Sequence, residues 1–279
     1  MNEIIEQKLK QYAPKDTNEE INALKEIAQE IILFALSRTD FFKNVFFLEG
    51  TCLRIIYGLE RFSEDLDFST IVLDKNFNFD FYIDTVTHTL NTYGLEMHVS
   101  KKKDDAFVKS RELKEDSLKW KLSFPSNQKL KKIMIKLEID SNPPEGTTVE
   151  DKFLDFPQLH RILVADLPTL FAGKIHALIC RPYVKGRDWY DFLWYIKNKT
   201  GINKNYLENA LEQIGPYKGN KVKVTKEFIN LTLGDKIRSN DWVAIRKDVE
   251  RFLKPHELKT LELWGTHLFL DRLSKLNVD

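Results

Sequence analysis

The residues best suited to chemistry fall in one stretch that runs from Glu49-Gly50-Thr51 to Arg61-Phe62-Ser63-Glu64-Asp65-Leu66-Asp67-Phe68. Asp65 and Asp67 stand two apart where an apolar strand begins, and side chains at i and i+2 of a strand share a face. Both carboxylates then project together, with Leu66 and Phe68 on the opposite, packed face. Two close carboxylates repel unless a proton or a cation stands between them. Mg²⁺ suits such a pair, because it takes oxygen ligands and keeps positions for water and phosphate. Two such ions bridge the attacking and leaving oxygens of phosphoryl or nucleotidyl transfer. The turn at Gly50-Thr51, opening a helix, offers N–H groups and a hydroxyl to a phosphate. An isolated Asp-x-Asp is more often the solvated start of a strand. The strand, turn and helix ahead of this one shift the balance toward chemistry.

Three further segments carry charge in a pattern. Ile133–Asp140 alternates, with Ile133, Ile135, Leu137 and Ile139 on one side and Lys136, Glu138 and Asp140 on the other. In Leu167–Cys180, Asp166 suits the N-cap and Pro168 the first turn. Lys174 and Arg181 are two turns apart and lie near one face. Lys185-Gly186-Arg187 then leads into another helix, for which Asp188 is the expected N-cap, worth about 1 kcal/mol. Asp191 is suited to an ion pair with Lys174, Arg181 or Arg187.

Regular elements must hold these groups in place. Ile21, Leu24, Ile27, Ile31 and Ala35 recur at helical spacing and predict a helix over 18–37, capped by Asp16 or Thr17. A buried strand is expected at 45–48, a short helix at 51–57 closed by Gly58, a strand at 65–72 and a helix at 79–93 closed by Gly94. Alternation predicts strands at 95–100, 118–124 and 132–140. Asn142-Pro143-Pro144-Glu145-Gly146 is a break. Beyond residue 165 the texture is helical, over 167–180, 188–197, 206–214, 226–233, 241–253 and 256–276. Strands mixed with helices, followed by helices alone, indicate an α+β chain. Its expected division is an α/β domain over 1–160 and a helical domain over 161–279.

Taken together, these segments resemble the nucleotidyltransferase superfamily pattern, a small-residue pair followed by Asp-x-Asp on the next strand. They most closely resemble the AbiEii/AbiGii-type nucleotidyltransferase toxin family. Its members read roughly Gly-Gly-Thr-Ala-Leu, then Tyr-Gly, then Arg-Phe-Ser-Glu-Asp-Leu-Asp-Phe. Gly50, Thr51, Leu53, Tyr57, Gly58 and the run from Arg61 to Phe68 match, whereas Glu49 replaces the first glycine. The family's Lys-x-x-Ala-x-x-x-Arg helix matches at Lys174, Ala177 and Arg181, and its Arg-Asp-x-x-Asp helix at Arg187, Asp188 and Asp191.

The resemblance implies an N-terminal nucleotidyltransferase-like mixed sheet with flanking helices and a C-terminal helical bundle. It implies Mg²⁺-dependent transfer of a nucleotide from an NTP to an acceptor, either RNA such as tRNA or a protein hydroxyl. It further implies the toxin of a bacterial toxin–antitoxin or phage-defence system, with a separately encoded antitoxin as partner. On this basis Asp65 and Asp67 hold metal, and Glu138, preferred to Asp140, completes the metal site or serves as general base. Gly50 and Thr51 meet the phosphates, Lys174 the triphosphate, and Arg181 and Arg187 join the nucleotide-binding set. One of Asp188 and Asp191 is chemical, with Asp188 favoured. Two rival readings are a catalytically silent relative, with Glu49 as the lesion, and a phosphotransferase built on the same site.

Composition narrows the field. Among 279 residues, 43 Lys+Arg oppose 42 Asp+Glu, and a net charge of +1 argues against a global polyanion-binding surface. Local basic stretches remain at Lys101-Lys102-Lys103, at Lys129, Lys131 and Lys132, and from Lys218 to Lys226. With 42% hydrophobic residues the chain has ample core, which excludes wholesale disorder. Cys52 and Cys180 are too few for a disulfide framework or a four-cysteine zinc site. The six histidines follow no zinc spacing, and no Walker loop, Gly-x-Gly-x-x-Gly or Gly-x-Ser-x-Gly occurs. The tryptophans are expected in the core. The charged residues 1–15 form no secretory signal, and no apolar run is long enough to span a bilayer. A cytoplasmic protein with no membrane partner is the expectation.

Overall fold

A computed structural model describes residues 2–115 and 133–278. The strand expected over 118–124, Trp120 and the lysines at 129, 131 and 132 lie outside the described residues. The chain divides into two compact units. One comprises Met1–Ile56, Phe62–Pro143 and Asp151–Val164, the other Tyr57–Arg61, Pro144–Glu150 and Ala165–Asp279.

The first unit opens with helices α1 (Glu3–Tyr12) and α2 (Thr17–Ser37). The Asp16 carboxylate caps α2, accepting from Asn18 N at 2.7 Å and Glu19 N at 2.9 Å. The periodic residues of α2 are buried, and they pack on α5 (Asp80–Thr92) and on strand β5 (Ile133–Asp140). The short α3 (Phe41–Asn44) feeds β1 (Val45–Leu48), α4 (Glu49–Tyr57) and β2 (Leu66–Thr70). Strands β3 (His98–Asp104), β4 (Val108–Glu115), β6 (Val149–Leu154) and β7 (His160–Ala165) complete a mixed sheet, ordered β3-β4-β5-β2-β1-β7-β6. The central β2 runs antiparallel to β1 and parallel to β5. Phe41, Phe46, Phe47, Phe68 and Phe79 are fully buried, and close edge-on ring contacts such as Phe41–Phe68 at 5.1 Å fill the core.

Residues of the second unit form α6 (Leu167–Cys180), α7 (Gly186–Lys197), α8 (Lys204–Gln213), α9 (Lys226–Ser239), α10 (Trp242–Glu250), α11 (Pro255–Leu258) and α12 (Thr266–Ser274). The helix expected over 256–276 is divided. A 3₁₀ turn at Lys259–Leu263 and Gly265, which is extended at φ 179°, separate α11 from α12. Trp242 stacks on Phe269 at 4.2 Å, and the buried Trp189 meets both edge-on. Gly186 is required where α7 approaches α10, because a Cβ there would lie 2.4 Å from the Ile245 carbonyl oxygen. Among the described residues no helix is long and apolar enough to cross a membrane.

Strands β4, β6 and β7 and helix α1 are absent from the sequence expectations, while the strand expected over 95–100 is β3, running from His98 to Asp104. The reason is clearest in residues 101–104, the rest of β3 at the sheet edge. Its residues are almost all exposed and its sequence is largely charged, so the ladder to β4 holds it without a buried face.

Candidate active site

In the first unit the sheet sets Asp67 at the centre. Its Cα partners are Leu48 on β1 and Glu138 on the parallel neighbour β5. Leu66 and Phe68, on either side, are buried. Asp65 lies just before β2, and its peptide segment is tied from two directions. The buried Gln29 amide donates to the carbonyls of Ser63 at 3.2 Å and Glu64 at 2.9 Å. The buried Thr51 hydroxyl donates to the Asp65 carbonyl, with Ser63 Oγ 2.8 Å away. Helix α4 therefore fixes the acid-bearing segment through a side chain that the sequence placed among phosphate ligands.

Burial pushes the Asp67 carboxyl well above the usual carboxylate range, and the charges of Glu49, Asp65 and Glu138 push it further. Glu49, at φ 65°, opens α4 in the left-handed backbone region that a glycine occupies freely. On β5, Lys136 pairs directly with Glu138. Burial acts to lower the Lys136 ammonium, but the bond to Glu138 and the charges of Asp65 and Asp67 raise it overall. Asp140 instead closes the following turn, accepting from Asn142 N at 2.9 Å. By sequence Lys136 shares the Glu138 side of the strand and takes no role. Its place two residues from Glu138 on an alternating strand was the available signal.

The second unit gathers the downstream motifs into one buried ion network. Lys174 Nζ on α6 lies 2.8 Å from Asp188 Oδ1 and 3.0 Å from Asp191 Oδ2, both on α7. Arg181 also pairs with Asp188. Arg61 grips Asp191 with both arms, Nε to Oδ1 at 2.6 Å and Nη2 to Oδ2 at 2.7 Å. The side chains of Arg61 and Asp191 are 2% and 0% exposed, so this is a desolvated pair. Asp188 is not the N-cap of α7, which is Lys185; it sits in the first turn and faces Lys174. Burial acts to raise the Asp188 carboxyl, yet Lys174 and Arg181 hold it below the usual range. Arg187 sets its guanidinium 4.3 Å from the centre of the Phe252 ring. Sequence reasoning did not single out Arg61 as the partner of Asp191.

Asp65, Asp67, Glu138, Gly50 and Thr51 thus belong to the first unit, and Lys174, Arg181, Arg187, Asp188 and Asp191 to the second. Among the described residues, one set of three metal-type side chains brings its ligand atoms within 4.8 Å of one another. It is Glu60, His256 and Glu257, in the second unit.

Residues 31–264 match the family described as nucleotidyl transferase AbiEii toxin, type IV TA system. The fold is similar to MenT4, a nucleotidyltransferase toxin from Mycobacterium tuberculosis. That match has a TM-score of 0.51 at 16% identity and covers 96% of this chain and 98% of the other. JHP933 from Helicobacter pylori matches with a TM-score of 0.46 at 18% identity, covering 91% and 94%. No curated protein matches the sequence.

Proposed function

The chain belongs to the AbiEii family of nucleotidyl transferase toxins of type IV toxin–antitoxin systems, and we propose that it uses Mg²⁺ to transfer a nucleotide from an NTP to RNA, such as tRNA, or to a protein hydroxyl. What supports this most is the sheet register, which sets Asp67 opposite Glu138, two residues after Asp65 and beside the turn that opens α4. These donors are all oxygens, and their mutual repulsion already favours a positive charge among them, so the set fits a hard dication. Asp65, Asp67 and Glu138 would hold Mg²⁺, which supplies charge to the phosphate oxygens when bound. Glu138 gives up Lys136 to do so, or serves as the base toward the acceptor hydroxyl.

With the Thr51 hydroxyl committed to Asp65, the backbone N–H groups of Gly50 and Thr51 are what the turn offers to phosphate. Lys174 would meet the triphosphate, which competes for its ammonium with two carboxylates. Arg181 and Arg187 complete the cationic set. We assign the structural part to Asp191, because it is locked to Arg61, and the chemical part to Asp188. A cognate antitoxin accompanies toxins of this family, and the cytoplasm is the compartment that supplies both NTP and acceptor.

The test incubates the protein with total RNA or cell protein and with each NTP labelled at the α or the γ phosphate. Label from the α position should enter an acceptor, and Asp67→Asn should abolish it. Transfer of γ label alone would mean phosphoryl transfer and overturn the reading, as would no transfer from any NTP to either acceptor.

A further inference from the structure

Helix α7 carries Asp188 and Asp191 toward Lys174, and it forms the wall of a cavity on another face. The cavity, of about 960 Å³, is lined entirely by residues of the second unit. Tyr190, Leu193, Trp194 and Lys197 line it from α7 at three- and four-residue spacing, the pattern of one helix face. Trp264 and Leu268 add apolar surface from the segment around α12. Small-molecule sites have volumes of roughly 300–1,000 Å³, mostly apolar with a few placed polar groups.

The charges on the lining are not balanced. Glu257 is buried and already accepts from the Tyr190 hydroxyl and from Lys254 N at 3.2 Å, while Glu60 faces His256 Nε2 at 3.8 Å. Four cations also line the cavity: Lys197, Lys199, Arg272 and Lys275. Arg272 and Lys275 share Asp271, at 3.7 Å and 2.8 Å. Lys197 and Lys199 make no ion pair among the described residues. An apolar chamber whose acids are engaged, and whose Lys197 and Lys199 make no ion pair among the described residues, complements a molecule with an apolar body and a negative end.

We propose that this cavity binds a small amphipathic anion, an apolar or aromatic body bearing a carboxylate or phosphate. The body rests against Leu193, Trp194 and Trp264, and the anionic group meets Lys197 and Lys199. This site is separate in its residues from the candidate active site, and it stands whether or not the nucleotidyl acceptor is RNA.

Two fluorescent probes of similar shape test the charge requirement on the full chain: anilinonaphthalene sulfonate and uncharged N-phenyl-1-naphthylamine. Tryptophan emission should fall as probe emission rises, since Trp194 and Trp264 line the chamber. The sulfonate should bind at least about tenfold more tightly than the neutral probe. The double variant Lys197→Glu/Lys199→Glu, altered at exposed positions and verified as folded by circular dichroism, should lose that preference. Decanoate and adenosine monophosphate then compete against the sulfonate. Displacement by decanoate identifies a fatty or aromatic carboxylate as the ligand class, and displacement by the nucleotide identifies a phosphate. Equal binding of the two probes, an unchanged preference in the double variant, or displacement by neither competitor overturns the proposal.

Discussion

Replacing Asp191 by Asn keeps the side-chain shape and removes one buried charge. In the parent, Asp191 is completely buried and neutralises the doubly bonded Arg61 while sharing Lys174 with Asp188. The variant leaves three cations, Arg61, Lys174 and Arg181, around the single carboxylate of Asp188. Arg61 has no route to water, its side chain being 2% exposed. Breaking a buried pair from one side costs about 3–5 kcal/mol, because the surviving charge stays desolvated. At about 2–4 °C per kcal/mol, that corresponds to a fall in Tm of roughly 6–20 °C. Urea unfolding followed by far-UV circular dichroism reads the cost as a lower midpoint at unchanged slope. Asp188→Asn should cost less, since Arg181 is partly exposed and Lys174 keeps Asp191. The double variant Arg61→Met/Asp191→Leu should recover most of the loss, because an apolar pair has no charge to strand. An Asp191→Asn protein within about 1 kcal/mol of the parent would refute the structural role assigned to this acid, since a buried, bidentate ion pair cannot be broken that cheaply.

Asp67→Asn should raise stability in the absence of metal. The folded state holds the Asp67 proton above the ordinary carboxylate range, so the parent loses stability as pH rises from about 4, the unfolded value, through the raised folded value. The variant should melt with a flatter pH profile and gain nothing from Mg²⁺; an unaltered profile counts against the acid cluster. Asp188 runs the other way: its folded value is depressed, so its contribution is present above the unfolded value near 4 and disappears as pH falls through the lower folded one. Asp188→Asn should therefore lessen acid sensitivity in unfolding curves taken at low pH, and undiminished sensitivity would argue against the pairing. Glu49→Gly relieves a left-handed backbone and should add about 1–2 kcal/mol of stability. It should change NTP affinity by less than about tenfold in calorimetry, and a gain of several decades would mark the native protein as an attenuated enzyme. Lys174→Ala should weaken NTP use strongly while sparing Mg²⁺ binding, with Lys174→Arg rescuing only in part; unimpaired turnover in the alanine variant would exclude Lys174 from the triphosphate site.

By itself the sequence determined the local pieces. Helix α2 was legible because five apolar residues repeat at helical spacing behind a capping aspartate, and both signals act within a few residues of chain. The alternation of Ile133–Asp140 likewise fixed which side of β5 carries Glu138, since strand geometry sends neighbours to opposite faces. The Asp65–Asp67 motif and the lysine and arginine helices were visible as spacings. Tertiary structure decided which charges meet. Arg61 and Asp191 are 130 positions apart and pair only because the short Tyr57–Arg61 segment joins the helical unit. Asp188 read as a helix cap, a local role, until the start of α7 at Gly186 moved it into the first turn, where it faces Lys174. Thr51 looked like a phosphate ligand, and long-range packing spent its hydroxyl on the Asp65 carbonyl. The part of strand β3 over residues 101–104 left no trace in the hydrophobic pattern, because an edge strand is held by backbone bonds to its neighbour and not by a buried face. Periodicity reports which side of an element is buried; the partner of a charge depends on loop closures and on the cost of leaving that charge dry, and neither is written in nearby residues.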